Sequence, residues 1–273
     1  MPEQTHDCDL CGSKNYTFVH EAEKHGSGNI AVCNNCGFVF VPVRRSAEEI
    51  AKSWEGIYAS GGYTANWPMV EARLTYVAEC YDQLYGWAGK SVLEIGAGEG
   101  RFLEMVRSRG AHPVGLEPSA EGCRKLRSKD IFAHHGTVEQ CGQVGTFDVV
   151  AILWTLENCQ DCIGMLKAAR EMLAPGGYVL IATGSRILVP FKKPLSTYFS
   201  KNPPDTHCFR WSANTLRAAA AKTGLDQDAG NDEMQGDWMV RAFVADSSWA
   251  LPQKGDDPAA VLDFFRRWDR EWP

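Results

Sequence analysis

A chain of 273 residues, 44% of them hydrophobic, has room for one large domain or for a main domain with a small accessory one. Its 28 basic and 34 acidic residues give a net charge of −6, which argues against a protein that coats nucleic acid. The opening MPEQTHDCDLCG has no apolar export signal, and no run reaches the roughly 18 apolar residues that a membrane span needs.

In chain order, residues 1–45 form a first unit. Cys8-Asp-Leu-Cys11 and Cys33-Asn-Asn-Cys36 are two C-x2-C pairs, and YTFVH, NIAV and GFVFVP around them read as short strands. Each tight turn offers two thiolates, and two turns complete a tetrahedron. The pairs therefore predict a structural Zn2+ held by Cys8, Cys11, Cys33 and Cys36 in a zinc-ribbon-like module, against the alternative of four buried free thiols. Four sulfur ligands leave no open position for metal catalysis. The chain has ten cysteines and no export signal, so a reducing cytoplasm is the expected setting.

Residues 46–88 switch to helical patterning. Ser46 followed by Glu49 is a capping signature, and PMVEARLTYVAECYDQLYGW repeats its apolar residues near every 3.6 positions. From 89 to 250 strands and helices alternate: SVLEI, AHPVGLE, IFAHH, FDVVAIL, YVLIAT and WMVRAFVA as strands, with helical segments between them. Such alternation predicts an α/β fold, a doubly wound parallel sheet with helices on both faces, interrupted by an insertion over 185–211. The tail over 251–273 is an amphipathic helix, expected on the outside of that sheet or against a second subunit of a homodimer.

The stretch VLEIGAGEG over 92–100 ends a strand in an acid and three alternating glycines. A dinucleotide fingerprint starting at Gly96 needs glycine at 101, where the chain has Arg101, and no Gly-Lys-Ser/Thr of a phosphate loop follows. Glu94 before the turn and Glu99 within it would repel a pyrophosphate and welcome a cation. Glu117 ends the next strand, where an acid accepts hydrogen bonds from both hydroxyls of a ribose.

Glu94–Gly100, the acid of GLEP, FDVV followed by LEN, and LAPGGYVLIAT together resemble the class I S-adenosylmethionine-dependent methyltransferases over roughly 90–246. The resemblance implies a Rossmann-like sheet of seven strands, in the order 3-2-1-4-5-7-6 with the last strand antiparallel. It implies S-adenosyl-L-methionine as cofactor, with its methionine end at Gly96, Ala97 and Gly98 and its ribose on Glu117. Adenine would lie near Pro118, Val138 and Glu139, and Leu153 and Trp154 would line the sulfonium side. Tyr63 is the aromatic residue expected to cover that sulfonium from a helical lid. Where relatives often read Leu-Glu-His, this chain reads Leu156-Glu157-Asn158, so no base is available at the third position.

The insertion carries no acid between Tyr178 and Pro204 but has Lys192 and Lys193 among its basic residues. With Asp205 and Arg210 these are the expected acceptor contacts, and the charge favours an anionic small molecule such as a nucleotide-activated sugar. His207 is the first candidate for the general base and Glu157 the second. The cysteine module, the GGY segment and the KKP, DTH and SANTLR stretches further resemble methyltransferases of bacterial surface-polysaccharide and deoxysugar pathways. Two rival readings are an RNA methyltransferase that grips nucleic acid with its zinc module, and a non-catalytic cofactor-binding scaffold. Only Lys14 and Lys24 are basic between Met1 and Val43, which counts against RNA.

Overall fold

The computed structural model describes residues 4–21, 29–60, 67–184, 195, 207–231, 238–245 and 255–271. The first unit holds five short strands, β1 (Gln4–Thr5), β2 (Tyr16–His20), β3 (Ile30–Cys33), β4 (Val39–Phe40) and β5 (Val43–Arg44). Two helices follow, α1 (Ala47–Ala59) and α2 (Trp67–Tyr85). The expected capping box starts α1: the Glu49 N–H donates to Ser46 Oγ (3.2 Å) and the Ser46 N–H to Glu49 Oε2 (2.8 Å).

Alternation then runs through β6 (Ser91–Ile95), α3 (Arg101–Arg107), β7 (His112–Glu117), α4 (Ala120–Ser128), β8 (Phe132–His135) and the short α5 (Val138–Cys141). It continues with β9 (Phe147–Leu153), α6 (Cys162–Glu171), β10 (Leu173–Gly184), β11 (Phe209–Arg210) and α7 (Ala213–Lys222). Two strands, β12 (Leu225–Gly230) and β13 (Trp238–Ala245), and the helix α8 (Pro258–Glu271) complete the chain order. None of the described helices is long and apolar enough to cross a membrane.

Seven strands form the main sheet in the order β12-β13-β10-β9-β6-β7-β8. Counted from β6 as the first, this is the expected order 3-2-1-4-5-7-6. β6 to β10 pair in parallel, and β13 alone runs against its neighbours β10 and β12. Alternate residues of each central strand go to opposite faces. Leu93, Ile95, Val150, Ile152, Val179 and Ile181 face one buried layer with Leu166 of α6 and Leu216 of α7. Val92, Val149, Ala151 and Leu180 face the other, with Val77 and Tyr81 of α2, Phe102 and Leu103 of α3, and Leu126 of α4.

The cysteine unit is built into this body. Its sheet has the order β11-β4-β3-β2, so the strand that ends the 185–211 insertion completes it, with Phe209 opposite Phe40 and Arg210 opposite Val39. Phe38 lies 5.8 Å from the Phe209 ring and 4.9 Å from that of Trp211, and these rings continue the buried layer beneath α6 and α7. The opposite face, Ile30, Val32 and Val39, is covered by Val261, Phe265 and Trp268 of α8. This corrects the expected place of the tail. Its apolar stripe closes the cysteine module rather than the outside of the main sheet, and no second subunit is needed to bury it. Because Phe265 is buried in that small layer, Phe265→Ala should lower unfolding stability by about 3 kcal/mol, measured as a shift of the urea midpoint.

Candidate functional site

β6 ends at Ile95 and the chain turns at once through glycines with left-handed backbones, φ +76° at Gly96 and +54° at Gly98. A Cβ at Gly96 would fall 2.4 Å from Thr155 Oγ1, and one at Gly98 would fall 2.9 Å from the Tyr58 hydroxyl oxygen. At these two positions the loop is thus a cradle that only glycine can line, held between the end of β9 and helix α1.

Two buried acids flank it. Glu117, at the end of β7, accepts from the Gly98 N–H through Oε2 (2.7 Å) and from the Ser119 N–H through Oε1 (2.8 Å). Burial pushes its pKa up to about 7 against the opposing pull of those two hydrogen bonds, and the Glu55 charge adds to the rise. Glu94 is buried with no partner on its Oε2, and burial, then the Glu117 charge, hold its pKa well above the ordinary carboxylate range. An unpartnered buried carboxyl beside a glycine cradle fits a ligand that brings positive charge. Glu99 does not contribute as expected. It is paired with Lys125 at 2.5 Å, from α4, and lies 3.9 Å from Arg101, so its charge is already compensated.

The remaining cofactor candidates gather at the same edge. Ala97 is buried within the loop, and the Pro118 carbonyl oxygen lies 3.2 Å from His135 Nε2. Val138 is buried and Glu139 exposed at the start of α5, which Thr137 caps. Leu153 is buried at the tip of β9. Trp154 follows with φ +51°, a conformation that costs a bulky residue about 1–3 kcal/mol. It is held there by its N–H to the Ala182 carbonyl (2.6 Å) and by Asn158 Nδ2 to its own carbonyl (3.0 Å). Asn158 thus braces a strained turn. The Trp154 ring stands 5.9 Å from that of Trp238.

Tyr63 lies outside the described residues, and Tyr58 is the aromatic residue that reaches the loop. One turn earlier, Glu55 accepts from the Ser119 hydroxyl and from the Glu121 N–H (3.3 Å), joining α1 to the start of α4 beside Glu117. Sequence reasoning missed Glu55 and Thr155. Their only signal is position: Glu55 shares a face of α1 with Tyr58, and Thr155 follows the cofactor-side strand end.

On the acceptor side, Lys192, Lys193 and Asp205 lie outside the described residues, whereas Glu157, His207 and Arg210 come together. Glu157 is buried; Thr183 Oγ1 donates to its Oε2 at 2.8 Å, and desolvation pushes its pKa up to about 7. Its backbone carbonyl accepts from the Cys208 N–H (2.7 Å) and the Phe209 N–H (3.3 Å). His207 is half-buried, and its carbonyl accepts from Arg210 Nη1 at 2.8 Å. Arg210 is buried.

The four cysteines of the module also converge. Their sulfurs lie within 4.8 Å of one another, with Cys8 and Cys36 at 3.6 Å and Cys11 and Cys33 at 3.5 Å. Tetrahedral thiolates around zinc, each about 2.3 Å from the ion, stand nearly that far apart. Both turns close as knuckles, Gly12 N–H to the Cys8 carbonyl (2.7 Å) and Gly37 N–H to the Cys33 carbonyl (2.9 Å).

Residues 72–229, more than half of the chain, match the family model for a methyltransferase domain, and the chain belongs to that family. It is 33% identical over 113 residues to the ubiquinone biosynthesis O-methyltransferase of Aromatoleum aromaticum, covering 38% of this chain and 48% of that protein. With the enzyme of the same name from Vibrio parahaemolyticus it shares 29% identity over 147 residues, 51% of this chain and 60% of that one. The chain therefore spans only about half to three fifths of the curated relatives it matches. Among solved structures it resembles the DhpI–SAH complex, with a TM-score of 0.57 at 16% identity over 74% of this chain and 98% of that one. It also resembles the CcbJ methyltransferase of Streptomyces caelestis, with a TM-score of 0.53 at 17% identity over 63% and 90%. At these identities the likeness is one of fold: the class I methyltransferase sheet.

Glu117 and Glu157 share a pH signature. Each has a folded-state pKa near 7 against an ordinary 4.5. Below about pH 4.5 both are protonated in folded and unfolded chains, so nothing is lost. As pH rises from 4.5 to 7 the unfolded chain gives up these protons first, and folding stability should fall by on the order of 3 kcal/mol per group. Urea unfolding of the ligand-free protein at pH 5 and pH 7.5 measures the loss, to which Glu94 adds as a third buried carboxyl of raised pKa, and Glu117→Gln should remove one group's share of it.

Proposed function

We propose that this chain transfers a methyl group from S-adenosylmethionine to a small-molecule acceptor. The observation that carries the reading is the buried Glu117 carboxyl at the tip of β7, bonded to the Gly98 N–H of the glycine loop. A carboxylate in that place accepts from both ribose hydroxyls and still reaches the loop backbone. Gly96, Ala97 and Gly98 would hold the methionine portion, with Glu94 and its unpartnered oxygen on the positive side of it. Pro118, Val138 and Glu139 would border adenine, and Leu153, Trp154 and Tyr58 would exclude water from the sulfonium.

When bound, the cofactor supplies an electrophilic methyl that passes in line to the acceptor and leaves S-adenosylhomocysteine. The chain's part is to align the two partners and to take one proton. His207 is the proposed base, with Glu157 as the alternative; Lys192, Lys193, Asp205 and Arg210 are the proposed acceptor contacts. The basic insertion supports a nucleotide-activated sugar. The names of the relatives support an acceptor of the ubiquinone-precursor kind instead, and they favour O- over C-methylation. Labelled S-adenosylmethionine offered with a panel of nucleotide sugars and ubiquinone precursors separates these; label appearing only in RNA would overturn both. We also infer that Cys8, Cys11, Cys33 and Cys36 hold one structural Zn2+, in a chain that works in the cytoplasm.

Cofactor binding forces the Glu94 and Glu117 carboxyls to ionise, so it should release protons near pH 6.5. Calorimetric heats in two buffers of different ionisation enthalpy measure that release. Glu117→Ala should weaken binding by about a hundredfold, the loss of two charge-assisted hydrogen bonds. Elemental analysis should find about one zinc per chain, and none in a variant with all four cysteines changed to serine.

A further inference from the structure

The cysteine module lies outside the 72–229 family match, and no step of the proposed transfer uses it. Its packing nevertheless runs directly to the acceptor side. The peptide unit at Cys208 is clamped from both ends. Its N–H donates to the Glu157 carbonyl (2.7 Å), and its carbonyl accepts from the Val41 N–H of the module (2.8 Å). The next two residues are the strand β11 that pairs with β4.

Arg44 secures this junction. Its side chain is fully buried. Nε donates to the Val41 carbonyl (2.8 Å), Nη1 to Asp9 Oδ1 (2.8 Å) and to the Gln160 carbonyl (2.7 Å), and Nη2 to Asp9 Oδ2 (2.5 Å). Its guanidinium lies 4.5 Å from the Phe209 ring centroid. One planar group therefore joins three segments: Asp9, inside the Cys8–Cys11 knuckle, the loop after Glu157, and the strand after His207. A buried guanidinium tolerates no loss of its carboxylate, because the charge left behind is uncompensated. Disorder in the knuckle would reach Gln160 and Phe209 through it.

We propose that the cysteine knuckle sets the relative placement of Glu157 and His207, and that Arg44 is the positioning residue that transmits it. The roles given to Glu157 and His207 rest on the methyltransferase reading; the mechanical coupling does not.

The test is hydrogen exchange on the full chain with zinc bound, comparing wild type with Arg44→Met and with Arg44→Met/Asp9→Leu. The double variant removes both charges, so it keeps the test valid if the single variant fails to fold. In the double variant the amides of Cys208 and Phe209 should exchange about tenfold faster or more, while zinc content and the Kd for S-adenosylmethionine stay within about twofold. Arg44→Lys should not restore protection, since an ammonium cannot span the three partners. Stripping zinc with a chelator should deprotect residues 207–210 together with the knuckle. With an acceptor from the panel, the acceptor KM should rise while the Kd for the cofactor holds. Wild-type protection at 208 and 209 in the double variant overturns the proposal, as does deprotection confined to the knuckle after zinc is removed. A wild-type protein that binds no S-adenosylmethionine sinks the methyltransferase reading instead, and the exchange comparison still decides the coupling.

Discussion

The contact between the Gly98 N–H and the Glu117 carboxyl is the constraint around which the site is arranged. It ties the tips of two neighbouring parallel strands through one side chain, and it requires both a backbone that approaches closely and an acid kept out of water. The first demand explains the left-handed glycines pressed between Thr155 and Tyr58. The second explains why Glu117 and Glu94 have such high pKa values: burial raises both, and a neighbouring carboxylate raises each further. A site that keeps two carboxyls at this electrostatic disadvantage favours a cationic nucleoside over a pyrophosphate, whose charge would make the same burial worse.

The second theme is how little of the cysteine module is separate. One face of its sheet is aromatic and merges with the layer beneath α6 and α7; the other is closed by α8. Its fourth strand comes from residues 209–210. Structural zinc modules are usually thought of as self-sufficient folds stabilised by their metal. Here aromatic packing and a borrowed strand add to what the four clustered cysteines can hold, and the borrowed strand is the one adjoining the acceptor-side candidates.

Much of this was legible in the sequence because the signals are local. Strands such as FDVVAIL, buried on both faces, stand out as apolar runs, and Ser46 with Glu49 announces a helix start through its own hydrogen bonds. The cysteine pairs and the glycine loop are likewise read from spacing alone. What stayed hidden depends on partners far along the chain. β12, Leu-Asp-Gln-Asp-Ala-Gly, is an edge strand with a bulge and only Leu225 buried, so it offers no periodicity; the resemblance alone implied it. β11 is two residues long and exists because β4 pairs with it. Lys125 silences Glu99 from helix α4, and the tail helix shows an apolar stripe without showing what it covers.

The closure of the module by α8 bears on how the chain is made. The backbone at Gly255 packs against that of Cys36, and Ser212 and Asn214 both bond Asp256, at 2.7 and 3.0 Å. The knuckles leave the ribosome more than two hundred residues before α8, which closes the far face of their module. At roughly 5–20 residues per second, that leaves this face of the module open for about ten to forty seconds of translation. A metal ion captured early by the four thiols would shield them from oxidation while that face is open.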